Sequence, residues 1–158
     1  MLKMGIITVL LSQTKDLFHE YNKPLDLEQK FDLMTHIEGY DAVEIVYPYD
    51  VSDPKTTREI LSKHHLNVAA VNVNVKAEPE FRDGGLTSHD KAVRAKAVRF
   101  IKEAKDFAAA VGADKVTCCP LGDGYEFAFQ YDYATTWKYL IDTFGEAGSY
   151  RTDIPLCI

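Results

Sequence analysis

The feature of this sequence that most limits its fold is a regular exchange of two periodicities. Short runs rich in β-branched residues alternate with longer segments whose apolar residues recur every three or four positions. A first strand is expected over residues 4–10. Asp26 then stands where a helix N-cap belongs, with Gln29 three residues on as its partner in a capping box. Phe31, Met34 and Ile37 give that helix an apolar stripe, and Gly39 is a natural stop. A second strand is expected over 42–47. Asp53-Pro54 opens a second helix, an acceptor at the cap followed by proline at the first helical position, and this helix runs to His64. In the third strand, 68–75, Val71, Val73 and Val75 share one face, and Asn72 and Asn74 share the other. A long third helix begins within 87–90, carries Ala97, Phe100, Ile101, Ala104 and Ala108 on its stripe, and ends at Gly112. Strand four is expected over 115–119. A fourth helix starts near Asp132, with Tyr133, Trp137, Leu140, Ile141 and Phe144 expected on its buried side, and 154–158 opens a fifth strand.

Such an alternation predicts parallel strands joined by right-handed crossovers. Two α/β architectures satisfy it: an open doubly wound sheet and a closed (β/α)₈ barrel. Nucleotide-binding versions of the open sheet need a glycine-rich turn after the first strand. Here that turn reads Leu11-Ser12-Gln13-Thr14, so a dinucleotide site is not expected. Four and a half βα units occupy the 158 residues, whereas eight need about 250. Residues 1–158 are therefore expected to form the N-terminal half of a single (β/α)₈ domain. The partner for its open edges would be a missing C-terminal half or, in a homo-oligomer, another copy.

The net charge of −6 argues against a nucleic-acid or anionic-membrane surface, both of which need clustered Lys and Arg. The apolar run at 4–11 is too short to span a bilayer, and no small-residue cleavage site follows it. Three cysteines, of which Cys118 and Cys119 are adjacent, make neither a disulfide framework nor a zinc motif. A cytoplasmic, reducing setting is the expectation, with no nucleic-acid and no membrane partner.

Three segments carry a family resemblance. Gly39-Tyr40-Asp41-Ala42-Val43-Glu44-Ile45 resembles the entry into strand two of the xylose-isomerase-like TIM barrels, the superfamily of sugar phosphate isomerases and epimerases. The run from Gly85-Leu86-Thr87-Ser88 to Arg94 is similar to their lead into the third helix, and the run from Ala104 to Val116 to their joint between that helix and strand four. The resemblance implies an enzyme of carbohydrate metabolism that binds a divalent, Mn²⁺-like metal through two Glu, an Asp and a His, and moves a proton next to the carbonyl of a sugar or keto-sugar. The first of those ligands is implied at the end of strand five, so no metal ligand is carried over to any residue up to Ile158. This stretch alone is then expected to hold no metal and to be inactive. Some members of the superfamily are large subunits of C-glycoside deglycosidases, which cleave a C–C bond between an oxidised sugar and an aromatic aglycone. The aromatic-rich loop 125–133 would suit an aglycone. A non-catalytic half-barrel acting by association is a further alternative, as is an endonuclease on the same plan, against which the net acidity counts.

In a barrel the functional face lies at the C-terminal ends of the strands. That places Tyr47 after strand two, Asn72 and Asn74 in strand three, and Asp123 after strand four as candidates for holding a small-molecule sugar. An Asn amide both donates to and accepts from a hydroxyl. Cys118 and Cys119 lie at the same end, but no oriented His marks a nucleophile, and small buried apolar side chains are expected. Glu44 is expected to face inward, as a structural hydrogen-bonding group in preference to a catalytic acid or base. His19, His36, His64, His65 and His89 lack ligand spacing and are expected at the surface. Gly122-Asp123-Gly124 is read as a tight turn. Lys91, Arg94, Lys96, Arg99, Lys102 and Lys105 are read as the solvated face of the third helix.

Overall fold

The computed structural model describes residues 4–12, 22–51, 53–123 and 129–158. Five parallel strands form one sheet: β1 (Gly5–Ile7), β2 (Ala42–Tyr47), β3 (Val68–Val73), β4 (Val116–Cys118) and β5 (Leu156–Cys157). Between them run α1 (Leu27–Met34), α2 (Pro54–Lys63), α3 (Lys91–Val111) and α4 (Tyr133–Ser149). The strand order in space is the order in sequence. A doubly wound sheet reverses its order at a switch point, whereas a barrel winds in one direction, so this is barrel winding.

Local chemistry starts each helix. Asp26 Oδ1 accepts from the Gln29 amide at 2.8 Å while Gln29 Oε1 accepts from the Asp26 amide at 3.0 Å. Asp53, Asp90 and Asp132 cap α2, α3 and α4 through bonds to Lys55 and Thr56, to Ala92 and to Ala134. Gly112 ends α3 at φ 85°, a left-handed conformation that glycine adopts without penalty. The core lies between sheet and helices. Val43, Ile45, Val71, Val73 and Val116 are fully buried against Phe31 and Met34 of α1 and Ile101, Ala104 and Ala108 of α3.

Several expectations need correction. The first strand stops at Ile7, and residues Thr8–Leu11 turn into a 3₁₀ helix. The third strand ends at Val73, although Val75 continues the buried row. On α4 the buried residues are Thr136, Thr143 and Ala147, whereas Tyr133 (56% exposed), Trp137 (64%) and Ile141 lie open. The reason is that α4 turns its threonine row inward, where Thr143 also reaches Leu86 O ahead of α3. Their hydroxyls bond back to carbonyls one turn earlier, Thr143 to Tyr139 O at 2.8 Å, which removes the cost of burying them.

Lys105 is not on the solvated face of α3. It sits between Ile101 and Ala108 on the buried stripe, is 0% exposed, and its amine donates to Gly148 O at 3.2 Å and Tyr150 O at 2.6 Å. His64 is also no surface residue: its side chain is 7% exposed and packs edge-on against Phe31, with ring centroids 6.0 Å apart. His36, His65 and His89 are exposed, and His19 lies outside the described residues. None of the described helices is long and apolar enough to cross a membrane.

Candidate functional site

In β2, Val43 and Ile45 point to the helices, so the alternation of a strand sends Glu44 to the opposite face, the barrel interior. Asn72 on β3 and Thr117 on β4 are directly opposite each other and share that face. The three side chains close a triangle. Asn72 Nδ2 donates to Glu44 Oε1 and to Thr117 Oγ1, both at 3.0 Å, and Thr117 Oγ1 donates to Glu44 Oε1. One carboxylate oxygen thus takes two bonds and fixes the amide beside it.

Asn74 follows the last residue of β3, one step nearer the C-terminal mouth. Its backbone N–H donates to Tyr47 O at 2.9 Å. Its Oδ1 accepts from the amides of Lys76 and Ala77, each at 3.0 Å, and so closes the turn that leaves the strand.

Tyr47 belongs to the other face. Its parity is that of Val43 and Ile45, its ring lies 5.8 Å from Phe107, and its hydroxyl donates to Glu103 on α3 at 3.2 Å. Burial, and then the Glu103 carboxylate, push its phenol up to about 12. The expectation that Tyr47 faces a substrate at the strand end is corrected by this side-chain direction.

Asp123 ends a short 3₁₀ turn after β4, Leu121–Asp123. Its Oδ1 accepts from the Thr87 amide at 2.7 Å and the Thr87 hydroxyl at 2.8 Å, which ties the loop after β4 to the loop before α3. Gly84, at φ 97°, leaves the room this requires, since a Cβ there would lie 2.6 Å from Thr87 Oγ1. Burial raises the Asp123 carboxyl above its ordinary range, although backbone and hydroxyl donors work against that shift. Gly124 and the aromatic residues up to 128 lie outside the described residues.

Cys118 is buried, and desolvation pushes its thiol up to about 12, which disfavours the thiolate a nucleophile needs. Cys119 and Cys157 are exposed.

One polar group escaped the sequence reading. Fully buried Thr8 donates to Asp50 Oδ2 at 2.8 Å and accepts from the Val46 amide at 3.2 Å, while Lys30 reaches Asp50 Oδ1 at 2.6 Å. The signal was present: Lys30 stands three residues after Leu27 and four before Met34, on the buried stripe of α1.

Among the described residues no group of three or more His, Cys, Asp or Glu could hold a metal ion. The interior row offers an amide, a hydroxyl and a carboxylate oxygen already accepting twice. This donor set does not fit a divalent cation, which takes several carboxylate or imidazole ligands.

The chain is 29% identical over 96 residues to a xylose isomerase from Thermus thermophilus, which covers 61% of this chain and 25% of that protein. It superposes on an L-ribulose 3-epimerase with a TM-score of 0.67 at 21% identity, covering 99% of this chain and 48% of the other. For a 3-keto-D-glucoside 4-epimerase from E. coli the TM-score is 0.68 at 16% identity, with 99% and 55% covered. The chain thus spans about half the length of these solved structures and a quarter of that curated relative. The model of the xylose isomerase-like TIM barrel matches residues 33–158. With five parallel strands wound in sequence order and a polar row on the interior face, this chain belongs to the xylose isomerase-like TIM barrel family.

Proposed function

We propose that this chain is the N-terminal half of a sugar isomerase or epimerase domain, acting on a sugar or keto-sugar by proton transfer at the carbon next to a carbonyl. The observation that carries the reading is the interior row itself. A barrel interior is ordinarily filled by branched apolar side chains, yet Glu44, Asn72 and Thr117 stand there as one hydrogen-bonded set with Asn74 above them. Such a set suits a ligand made of hydroxyls. In this reading Asn74, through the Nδ2 that its turn does not use, and Asn72 hold substrate hydroxyls, and Asp123 shapes the rim. Glu44 keeps Asn72 oriented and is not the acid or base. A divalent metal, which would polarise the carbonyl, has to take its ligands from outside the described residues.

The test is hydrogen exchange. The protein carrying this chain, supplied with Mn²⁺ and a panel of aldoses, ketoses and keto-glycosides in D₂O, is expected to place deuterium beside the carbonyl of at least one of them, seen by NMR. Folded protein that exchanges none of the panel and forms no isomer would overturn the reading.

A further inference from the structure

Donors and acceptors on the interior row can be assigned atom by atom. The amide nitrogen of Asn72 carries two hydrogens, and both are committed, one to Glu44 Oε1 and one to Thr117 Oγ1, each at 3.0 Å. Thr117 turns its own hydroxyl hydrogen to the same Glu44 oxygen. The Asn72 amide is held this way round, because the opposite placement would set its Oδ1 against a carboxylate oxygen, acceptor against acceptor. Asn72 therefore offers a ligand its Oδ1, which only accepts. Asn74 is arranged the other way. Its Oδ1 takes the backbone amides of Lys76 and Ala77, and two N–H donors can face only the oxygen end. Asn74 therefore offers Nδ2, which only donates. Two asparagines of one strand present opposite polarity, roughly 6–7 Å apart along it. Glu44, Asn72, Asn74 and Thr117 are each only partly buried, so a ligand can reach the row.

We propose that Asn72 and Asn74 read two hydroxyls of one sugar by opposite polarity. The inner hydroxyl gives its hydrogen to Asn72 Oδ1, and the outer one takes a hydrogen from Asn74 Nδ2. Resting on the proposed sugar reaction, this assignment adds the chemical rule of each contact. A free Asn amide meets either kind of partner. Glu44 and Thr117 remove that tolerance at Asn72, and the turn to Lys76 and Ala77 removes it at Asn74. A hydroxyl suits both sites because it donates and accepts. Fluorine cannot donate, so it fits only the outer site. An ammonium group cannot accept, so it fits only the inner one, where the Glu44 carboxylate also lies. Glu44 and Thr117 are thus positioning residues that set specificity through Asn72.

The probes are D-fructose and D-xylose, each with the derivatives that carry fluorine or an amino group in place of one hydroxyl, titrated into the whole protein by calorimetry. At one carbon, fluorine is expected to weaken binding about tenfold while the amino group is tolerated. At another carbon the order is expected to reverse. Glu44→Gln can donate as well as accept, which lets the Asn72 amide turn round. It should cut the fluorine penalty at the first carbon to less than about threefold and leave the second carbon unchanged. Asn74→Asp should make the second carbon favour the amino group and leave the first unchanged. A side chain that served only to hold the fold would shift all derivatives alike. The proposal is overturned if fluorine and amine are tolerated equally at every carbon, if the fluorine penalty survives Glu44→Gln, or if neither parent sugar binds. Loss of the proposed reaction is read separately, from the absence of exchange in D₂O.

Discussion

The amine of Lys105 lies 2.6 Å from the carbonyl oxygen of Tyr150, the residue that caps the C-terminal end of α4. A second bond, to Gly148 O, makes this one cation the partner of two carbonyls at the end of that helix. A positive group there is favoured by the helix dipole. It also fixes where the chain turns, through Arg151 and Asp153, into β5.

Removing that side chain leaves two carbonyls without a donor and a void on the stripe of α3. Lys105→Ala is expected to lower the unfolding free energy by about 2–4 kcal/mol, measured by urea denaturation. A loss within the error of the measurement would mean that water replaces the amine without cost. The pH dependence has a definite sign. Burial lowers the Lys105 pKa below 10.5, so the folded state sheds its proton first. Between the folded and unfolded values the unfolded chain binds more protons, and the contribution of Lys105 to stability rises with pH. Tyr47 acts oppositely: with its phenol raised from 10.0 to about 12, its contribution falls as pH climbs through that window. The stability of the protein relative to Lys105→Met should therefore increase as pH approaches 10.5.

Glu44 separates catalysis from architecture. Glu44→Gln keeps a carbonyl oxygen able to accept from Asn72 and Thr117, and it is expected to change kcat by less than about threefold. A general acid or base would lose about 10²–10⁴. Glu44→Ala strands both donors and should cost about 1–3 kcal/mol of stability. A collapse of turnover in Glu44→Gln with unchanged thermal unfolding would make this carboxylate catalytic.

Asn74 has two chemical ends with different tasks. Asn74→Asp preserves the acceptor that closes the turn to Lys76 and Ala77 but removes the amide donor. If that donor meets a substrate hydroxyl, kcat/KM should fall about tenfold or more while stability holds. Asn74→Ala should lower both. Equal kinetics for Asn74→Asp and the parent protein would reduce Asn74 to a turn residue.

The cysteines should divide in their reactivity. Cys119 and Cys157 are exposed, whereas Cys118 is buried with its thiol pushed up to about 12. Alkylation at neutral pH, followed residue by residue in peptide mass spectra, is expected to modify Cys119 fast and Cys118 only after denaturant is added. Fast modification of Cys118 would mean that β4 opens readily.

What the sequence determined by itself was everything fixed within a few residues or by a simple period. Asp26, Asp53, Asp90 and Asp132 cap their helices because each acceptor and its amide lie two or three positions apart. The valine alternation of β3 set its two faces and with them the inward Asn72, as Val43 and Ile45 of β2 did for the inward Glu44. Tertiary structure decided where a local period is compatible with more than one partner. Lys105 reads as one more surface lysine until the end of α4 arrives beside it, 45 residues further along the chain. Thr8 and Asp50 are ordinary polar residues until β1 and β2 pair and bring their ends together. On α4 the aromatic stripe is the more apolar, yet the threonine row is the buried one, because a hydroxyl that bonds its own helix can be buried at little cost. Periodicity records which residues share a face. It does not record which face finds a neighbour, since that depends on contacts between distant segments that no local pattern contains.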